Sequence, residues 1–346
     1  MSTVMVTGIT GQDGSYLTEL LLGKGHRVFG FARRESGAGS AVAHPLGSRV
    51  EILFGDMAAE GDISSAVEMT QPDEIYNLAS QSRPAESWSR PIDTLMVNGL
   101  GPVRLFDAVR RYKPRCRVFH ASSSEMFGQP AAGPQNEQST FFGAANPYAA
   151  AKVYAHQMAR IYRQSHGMFI ACGILFNHES ERRPLHFLSQ KVAYGAACAV
   201  LGVLDSPDLN ERGHPIVREG KLSLGNLDVS RDWGYAPDYV EAMWRMLQLD
   251  RPDDFVIGTG RLRSLRDLCA AAYGCVGLDW TDFVVSDPAL VRPVETGRNL
   301  ADPAKARSEL GWEPTVTFES MIARMVAAQR QRLVEHLTDK TTMLNQ

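Results

Sequence analysis

Tyr148 and Lys152 stand four residues apart in a stretch patterned as a helix. One helical turn brings such positions onto one face, so the lysine can lie beside the phenol and favour its phenolate. A phenol placed this way can exchange a proton with a sugar hydroxyl while hydride moves at the same carbon. Tyrosine four before lysine is common in surface helices, and its weight here comes from what precedes it. Ser122, Ser123, Ser124 and Glu125 follow an apolar run, and Gly8, Gly11 and Gly14 give G-x-x-G-x-x-G near the start. Without side chains, that turn can approach a pyrophosphate while the next helix aims its first N–H groups at the phosphates. Arg33 and Arg34 come where an NAD site would offer a carboxylate to the ribose, and two cations there favour the 2′-phosphate of NADP.

The elements that must position these groups follow from hydrophobic periodicity. Val4–Val6 runs into the glycine turn, and Leu17, Leu20, Leu21 and Leu22 recur at helical spacing. Further strands are expected at Arg27–Phe31, Val50–Leu53, Ile75–Leu78, Arg117–His120, Ile174–Phe176 and Phe255–Ile257, several of them separated by helices. That alternation implies an α/β fold, a doubly wound parallel Rossmann-type sheet. Val192–Leu204 reads as a buried helix, 205–220 as a polar surface excursion, Leu262–Tyr273 as a helix, and Phe318–Val334 as a closing amphipathic helix. The less regular second half predicts a smaller substrate-binding cap. Two interleaved units result: residues 1–177 plus about 219–262 for the dinucleotide, and 178–218 plus about 263–335 for the substrate.

Composition excludes other classes. Of 346 residues, 44% are hydrophobic and 22% charged, near the globular average, and 36 basic against 39 acidic residues leave a formal charge of −3. No basic excess favours nucleic acid or an anionic membrane. The longest apolar run falls short of the roughly 20 residues a membrane-spanning helix needs. No secretory leader pattern opens the chain, so the cytoplasm is the expected compartment. Five scattered cysteines without C-x-x-C suggest buried thiols rather than disulfides or a metal site.

Glycine turn, serine run and Tyr-x-x-x-Lys in this order resemble the extended short-chain dehydrogenase/reductase superfamily, and within it the GDP-mannose 4,6-dehydratase family. The likeness rests on Gly8–Leu17, Gln71–Leu78, Asn146–Lys152, Ile174–Ser180, Arg231–Gly234, Asp254–Gly260, Arg292–Glu295 and Leu310–Trp312, which span nearly the whole chain. It implies a catalytic set of Ser123, Glu125, Tyr148 and Lys152, with serine where the family has threonine. It implies NADP contacts at Gly8, Ile9, Thr10, Gly11, Gln12 and Asp13, at Asp56 and Met57, at Leu78, Ala79, Ser80, Gln81 and Ser82, and at Lys152, His178 and Arg183, beside the Arg33 read above. Asn77 is expected to be structural. For a GDP-sugar it implies Asn177, Lys191, Arg231, Arg292 and Glu295, with arginines suited to diphosphate oxygens. It also implies a homodimer or homotetramer.

The chain departs from the family at Arg33–Gly47, which is shorter and rich in Gly and Ala, at Arg83 and Glu86, and at Pro184, Leu185 and His186. These leave room for another sugar such as a GDP-heptose. The expected reaction is dehydration to a 4-keto-6-deoxy sugar by internal hydride transfer from C4 to C6. Glu125 favours it over a 4-epimerase or 4-reductase, which has no use for a base at C5. Intact Tyr148 and Lys152 argue against a non-catalytic NADP-binding sensor.

Overall fold

The computed structural model describes residues 1–34, 49–128, 133–141, 143–210, 212–290 and 299–344. Its centre is a parallel seven-stranded sheet of β1 (Thr3–Thr7), β2 (Arg27–Ala32), β3 (Val50–Phe54), β4 (Glu74–Asn77), β5 (Arg117–Ser123), β6 (Ile170–Leu175) and β11 (Asp254–Ile257), in the order β11-β6-β5-β4-β1-β2-β3. Strand order reverses between β1 and β4, and ligands bind such sheets outside the carboxyl ends of the strands at that point. The fold is therefore the expected doubly wound one. Two apolar layers cover it. Phe119 and Ala121 of β5 pack with Leu17, Tyr239 and Met243 on one face, and Val118 packs with Leu105, Phe106 and Ala159 on the other.

The helices are α1 (Gln12–Gly23), α2 (Glu60–Thr70), α3 (Pro91–Leu95), α4 (Gly101–Tyr112), α5 (Pro147–His166), α6 (Leu188–Val200), α7 (Ala236–Met246), α8 (Leu265–Gly274), α9 (Ala304–Leu310) and α10 (Phe318–Leu344). Two small sheets complete the fold. β7 (Asn177–Glu179) and β12 (Leu262–Ser264) flank β10 (Ser230–Tyr235), while β8 (Val217–Arg218) and β13 (Val284–Ser286) flank β9 (Lys221–Leu224). A separate core gathers α6, β9, β10, α8 and α10 around Tyr194, Leu222, Trp233, Leu268 and Met325.

Several boundaries differ from the sequence expectation. The helix expected from Leu262 starts at Leu265, because the Ser264 hydroxyl and the Asp267 carboxylate cap each other's backbone there, leaving Leu262–Ser264 to pair with β10. The apolar helix runs Leu188–Val200, and Leu204 is exposed. The stretch 205–220 is not wholly a surface excursion: Ile216 and Val217 enter the second core, and the Ser206 hydroxyl accepts from Val217 N at 3.1 Å. Leu222, Leu224, Leu227, Trp233 and Tyr235 also pack into that core, while Ala306, Leu310 and Trp312 pack into the first. The closing helix extends beyond Val334 to Leu344.

Candidate active site

The turn after β1 is built for close approach. Gly8 has φ +69°, and a Cβ there would stand 2.8 Å from Ala79 N; one at Gly14 would stand 2.4 Å from Gly8 O. Side chains are thus excluded where the turn nears the 78–79 backbone and where α1 meets its own turn. Gly11 begins α1 with no side-chain cap, so the N–H groups of the first turn remain for an anion. Arg33 and Arg34 are exposed just beyond β2, with Arg34 lying 5.4 Å over the Phe54 ring. An uncapped helix start beside a glycine turn, with two cations at the neighbouring strand end, fits a dinucleotide.

A cleft of about 400 Å³ opens from this edge of the sheet towards the second core. Ser123, Glu125, Tyr148 and Lys152 line it, together with Asp13, Leu78, Ser80, Ser82, His178 and Arg183 of the expected cofactor set and Asn177, Lys191 and Arg231 of the expected sugar set. Gly8, Ile9, Thr10, Gly11, Gln12, Arg33, Asp56, Met57, Ala79 and Gln81 lie outside its lining. Ile9 and Met57 are core side chains and can offer a ligand only their backbone. Gln12 is tied down as well, accepting from Ser180 Oγ at 2.8 Å and donating to His178 O at 3.2 Å. Arg292 and Glu295 fall outside the described residues. The chain resumes at Asn299, bridged to Arg231.

The four residues of the expected catalytic set are mounted on two elements. β5 ends in Ser123, whose Oγ accepts from Glu125 N at 3.2 Å and so caps the short turn that presents the carboxylate. Asn146 caps α5 by accepting from Ala149 N at 2.8 Å, and its Nδ2 donates to Glu125 Oε2 at 3.2 Å. Pro147 is pre-set for the first helical position, so Tyr148 enters the cleft from the first turn. Lys152 is buried, with Nζ 5.8 Å from the Tyr148 ring centre and donating to Ala121 O at 2.9 Å. Burial pulls its ammonium down to about 8. Burial pushes the Tyr148 phenol up to about 12, partly opposed by the Ser123 hydroxyl and reinforced by Glu125. Burial in the open cleft thus opposes the phenolate that Lys152 is expected to favour.

His178 Nε2 lies 2.8 Å from Asp13 Oδ2, and its ring stacks on Tyr239 at 4.6 Å. Arg183 pairs with Glu179 at 3.1 Å and covers the Phe187 ring. Arg182 is turned away, bound to Glu19 at 2.6 Å. Asn77 is structural, accepting from Thr7 Oγ1 at 2.8 Å and contacting His120 Nδ1 at 3.1 Å. Sequence reasoning missed Asn98. Buried in a π-turn at Met96–Leu100, it accepts from Gln81 N and donates to Gln81 O, both at 2.8 Å, and thereby fixes the 80–82 wall. No periodicity marks such a turn. Asn146 did carry a signal, an Asn-Pro helix start.

The comparisons agree with this geometry. A family model described as GDP-mannose 4,6 dehydratase matches residues 5–325. GDP-mannose 4,6 dehydratase 2 of Arabidopsis thaliana is 38% identical over 334 residues, covering 93% of this chain and 85% of the relative. GDP-mannose 4,6-dehydratase of Yersinia enterocolitica is 37% identical over 372 residues, covering 97% and 96%. Among solved structures, the fold is shared with DesIV, a dTDP-glucose 4,6-dehydratase from Streptomyces venezuelae with NAD and TYD bound (TM-score 0.80, 22% identity, 95% of this chain and 97% of that one). It is shared too with RMD from Pseudomonas aeruginosa complexed with NADPH (TM-score 0.76, 21% identity, 96% and 100%). With a family model matched over most of its length and relatives above 30% identity across nearly all of it, the chain belongs to the GDP-mannose 4,6-dehydratase family of hydro-lyases.

Proposed function

We propose that this enzyme removes water from GDP-mannose or a close GDP-sugar, giving the 4-keto-6-deoxy product, with NADP as the resident hydride carrier. The observation that carries this reading is the convergence of Ser123, Glu125, Tyr148 and Lys152 in the same cleft as Lys191 and Arg231. Bound NADP supplies a hydride acceptor at C4 and a donor at C6, with no net change. Tyr148, as phenolate, takes the O4 proton and gives it to C5 when C6 is reduced, Ser123 holds O4, and the buried Lys152 orients β5 and the phenol. Glu125 removes the C5 proton and returns it to the departing C6 hydroxyl, so one carboxylate serves both steps. Lys191, Arg231 and Asn177, joined by Arg292 and Glu295, hold the diphosphate and ribose. The cofactor occupies the large sheet and the nucleotide sugar the second core. Arg33 and Arg34 support NADP over NAD.

Arg83, paired with Glu86 at 3.3 Å, and His186 line the cleft, and as departures from the family they leave room for a second substrate, a GDP-heptose. Incubation of the enzyme with each GDP-sugar, followed by product mass, tests the reading: a product one water lighter supports it, and unchanged mass with both sugars and added NADP sinks it.

We assign a homodimer formed through α3 and α5, where Ile92, Leu95, Tyr154 and Ile161 are exposed beside Trp88. Such a grouping of apolar side chains suits a partner surface. No helix among the described residues is long and apolar enough to cross a membrane. All five cysteines are free, four of them buried, which supports a cytoplasmic enzyme.

A further inference from the structure

β5 alternates its side chains between the two faces of the sheet, so Ser122 points away from Ser123. Its Oγ lies 2.8 Å from His156 Nδ1, and His156 Nε2 lies 3.6 Å from Asp254 Oδ2 on β11. All three residues are buried. His156 follows Lys152 by four residues as Lys152 follows Tyr148, so three successive turns of one face of α5 carry phenol, ammonium and imidazole. Two of these turns grip consecutive residues at the end of β5, Lys152 on Ala121 O and His156 on Ser122 Oγ. The next residue is Ser123.

The remaining contacts define how the imidazole works. Asp254 is paired with Arg163, whose Nη2 lies 2.5 Å from Oδ1, and Arg160 stands 3.9 Å from Oδ2. Phe141 meets the ring edge at 5.1 Å. Burial, aided by Arg160 and Arg163 and opposed by Asp254, draws the imidazole down to about 4, so it is neutral at neutral pH. The Asp254 carboxylate, at ion-pair rather than hydrogen-bond distance, favours the ring proton on Nε2, with Nδ1 then accepting from the Ser122 hydroxyl. Cys172 completes a trio with His156 and Asp254 in which a cation could be imagined. The Arg163 guanidinium already takes the carboxylate and sits 3.8 Å from Cys172 Sγ.

We propose that Ser122, His156 and Asp254 form a buried brace that sets the register between α5 and the tip of β5, making Ser122 and His156 positioning residues for Ser123 and Tyr148. The inference rests on the catalytic reading above. A slip at this joint moves the Ser123 hydroxyl relative to the Tyr148 phenol while leaving the sugar and cofactor walls in place, so it acts on turnover and not on binding.

The test compares Ser122→Ala, His156→Phe and His156→Asn with Tyr148→Phe, each as purified enzyme. Asparagine retains an acceptor near the position of Nδ1, whereas phenylalanine keeps ring volume and loses both contacts. Misplacement of reacting groups is costly, so Ser122→Ala and His156→Phe are each expected to lose roughly tenfold or more in kcat, with KM for the GDP-sugar within about twofold. His156→Asn is expected to recover most of the His156→Phe loss. The double variant Ser122→Ala/His156→Phe is expected to lose no more than the worse single one, because the two act as one unit. Ser122→Ala removes one buried atom and keeps the experiment informative should His156→Phe fail to fold. Wild-type kcat in Ser122→Ala, additive losses, or a rise in KM alone overturns the brace. Full turnover by Tyr148→Phe overturns the catalytic reading instead, so the two failures are distinguishable.

Discussion

His178 donates from both ring nitrogens: Nδ1 lies 2.7 Å from the Phe176 carbonyl, and Nε2 lies 2.8 Å from the Asp13 carboxylate. Neither partner can donate, so the ring is an imidazolium and the contact an ion pair across the mouth of the cofactor turn. Burial works against the charge, yet Asp13 outweighs it and holds the imidazole above its ordinary value. Burial likewise opposes ionisation of Asp13, and His178 outweighs that to keep the carboxyl below its usual range.

Asp13→Asn is expected to drop the His178 titration midpoint below the ordinary imidazole value of 6.5, since burial and Arg183 remain as the dominant influences. Ring-nitrogen NMR of labelled protein reads this directly. The pair stabilises fully between the unfolded pKa values of the two groups. That stabilisation fades as pH rises through the raised His178 value and as it falls through the lowered Asp13 value. Denaturant melts of wild type and variant should therefore differ by roughly 1–3 kcal/mol near pH 5.5 and converge at alkaline pH. A constant difference across that range contradicts the assignment.

Lys152→Met should raise the stability of the cofactor-free enzyme while abolishing turnover. The folded ammonium titrates near 8 against 10.5 for the ordinary group, so burial costs stability below pH 8 and the cost disappears as pH rises from 8 to 10.5. The expected gain at pH 7 is on the order of 1–3 kcal/mol, shrinking by pH 10.5. Urea unfolding at the two pH values checks the sign.

Glu125→Gln keeps its shape and the Ser123 cap but removes the base. The variant should bind NADP and GDP-sugar normally and lose roughly 100-fold or more in turnover, the scale of general acid-base contributions. Asn146→Ala, which removes both the α5 cap and the Glu125 contact, should cost about 1 kcal/mol of stability and lower turnover with it. Steady-state kinetics alongside thermal melts separates the two effects, and near-normal dehydration by Glu125→Gln refutes the role.

Arg33→Asp should weaken NADP by roughly tenfold or more and leave NAD little changed, as expected for loss of a charge-assisted contact to the 2′-phosphate. Fluorescence titration with each cofactor decides, and equal losses refute the assignment.

The large sheet was legible because parallel strands buried on both faces read as apolar runs, and because the glycine turn punctuates the first of them. The second core was less so. Its short strands, such as Leu262–Ser264, carry too little periodicity to compete with the helix that follows, and only the Ser264–Asp267 cap separates the two. Ser123, Glu125, Tyr148 and Lys152 stood in local patterns, and the structure brings them into one cleft. Asn98 and His156 were not legible, because their partners are distant in sequence: Gln81 lies across a π-turn, and Ser122 and Asp254 lie on two strands. Asparagine and histidine in a helix carry no mark of such contacts until the fold closes them.

The interleaving of the two cores governs how the chain matures during synthesis. α6 emerges with Val192, Ala193 and Tyr194 on its apolar surface, but Met321, Met325 and Leu333 of α10 are made far later. The large sheet waits too, because Trp312, fully buried with its Nε1 donating to Asp238 O at 2.7 Å, belongs to its packing. Neither core can close before Trp312 and α10 have emerged, and the exposed α6 surface is a natural target for holding chaperones until the closing helix arrives. A chain cut before Phe318 leaves that surface permanently bare.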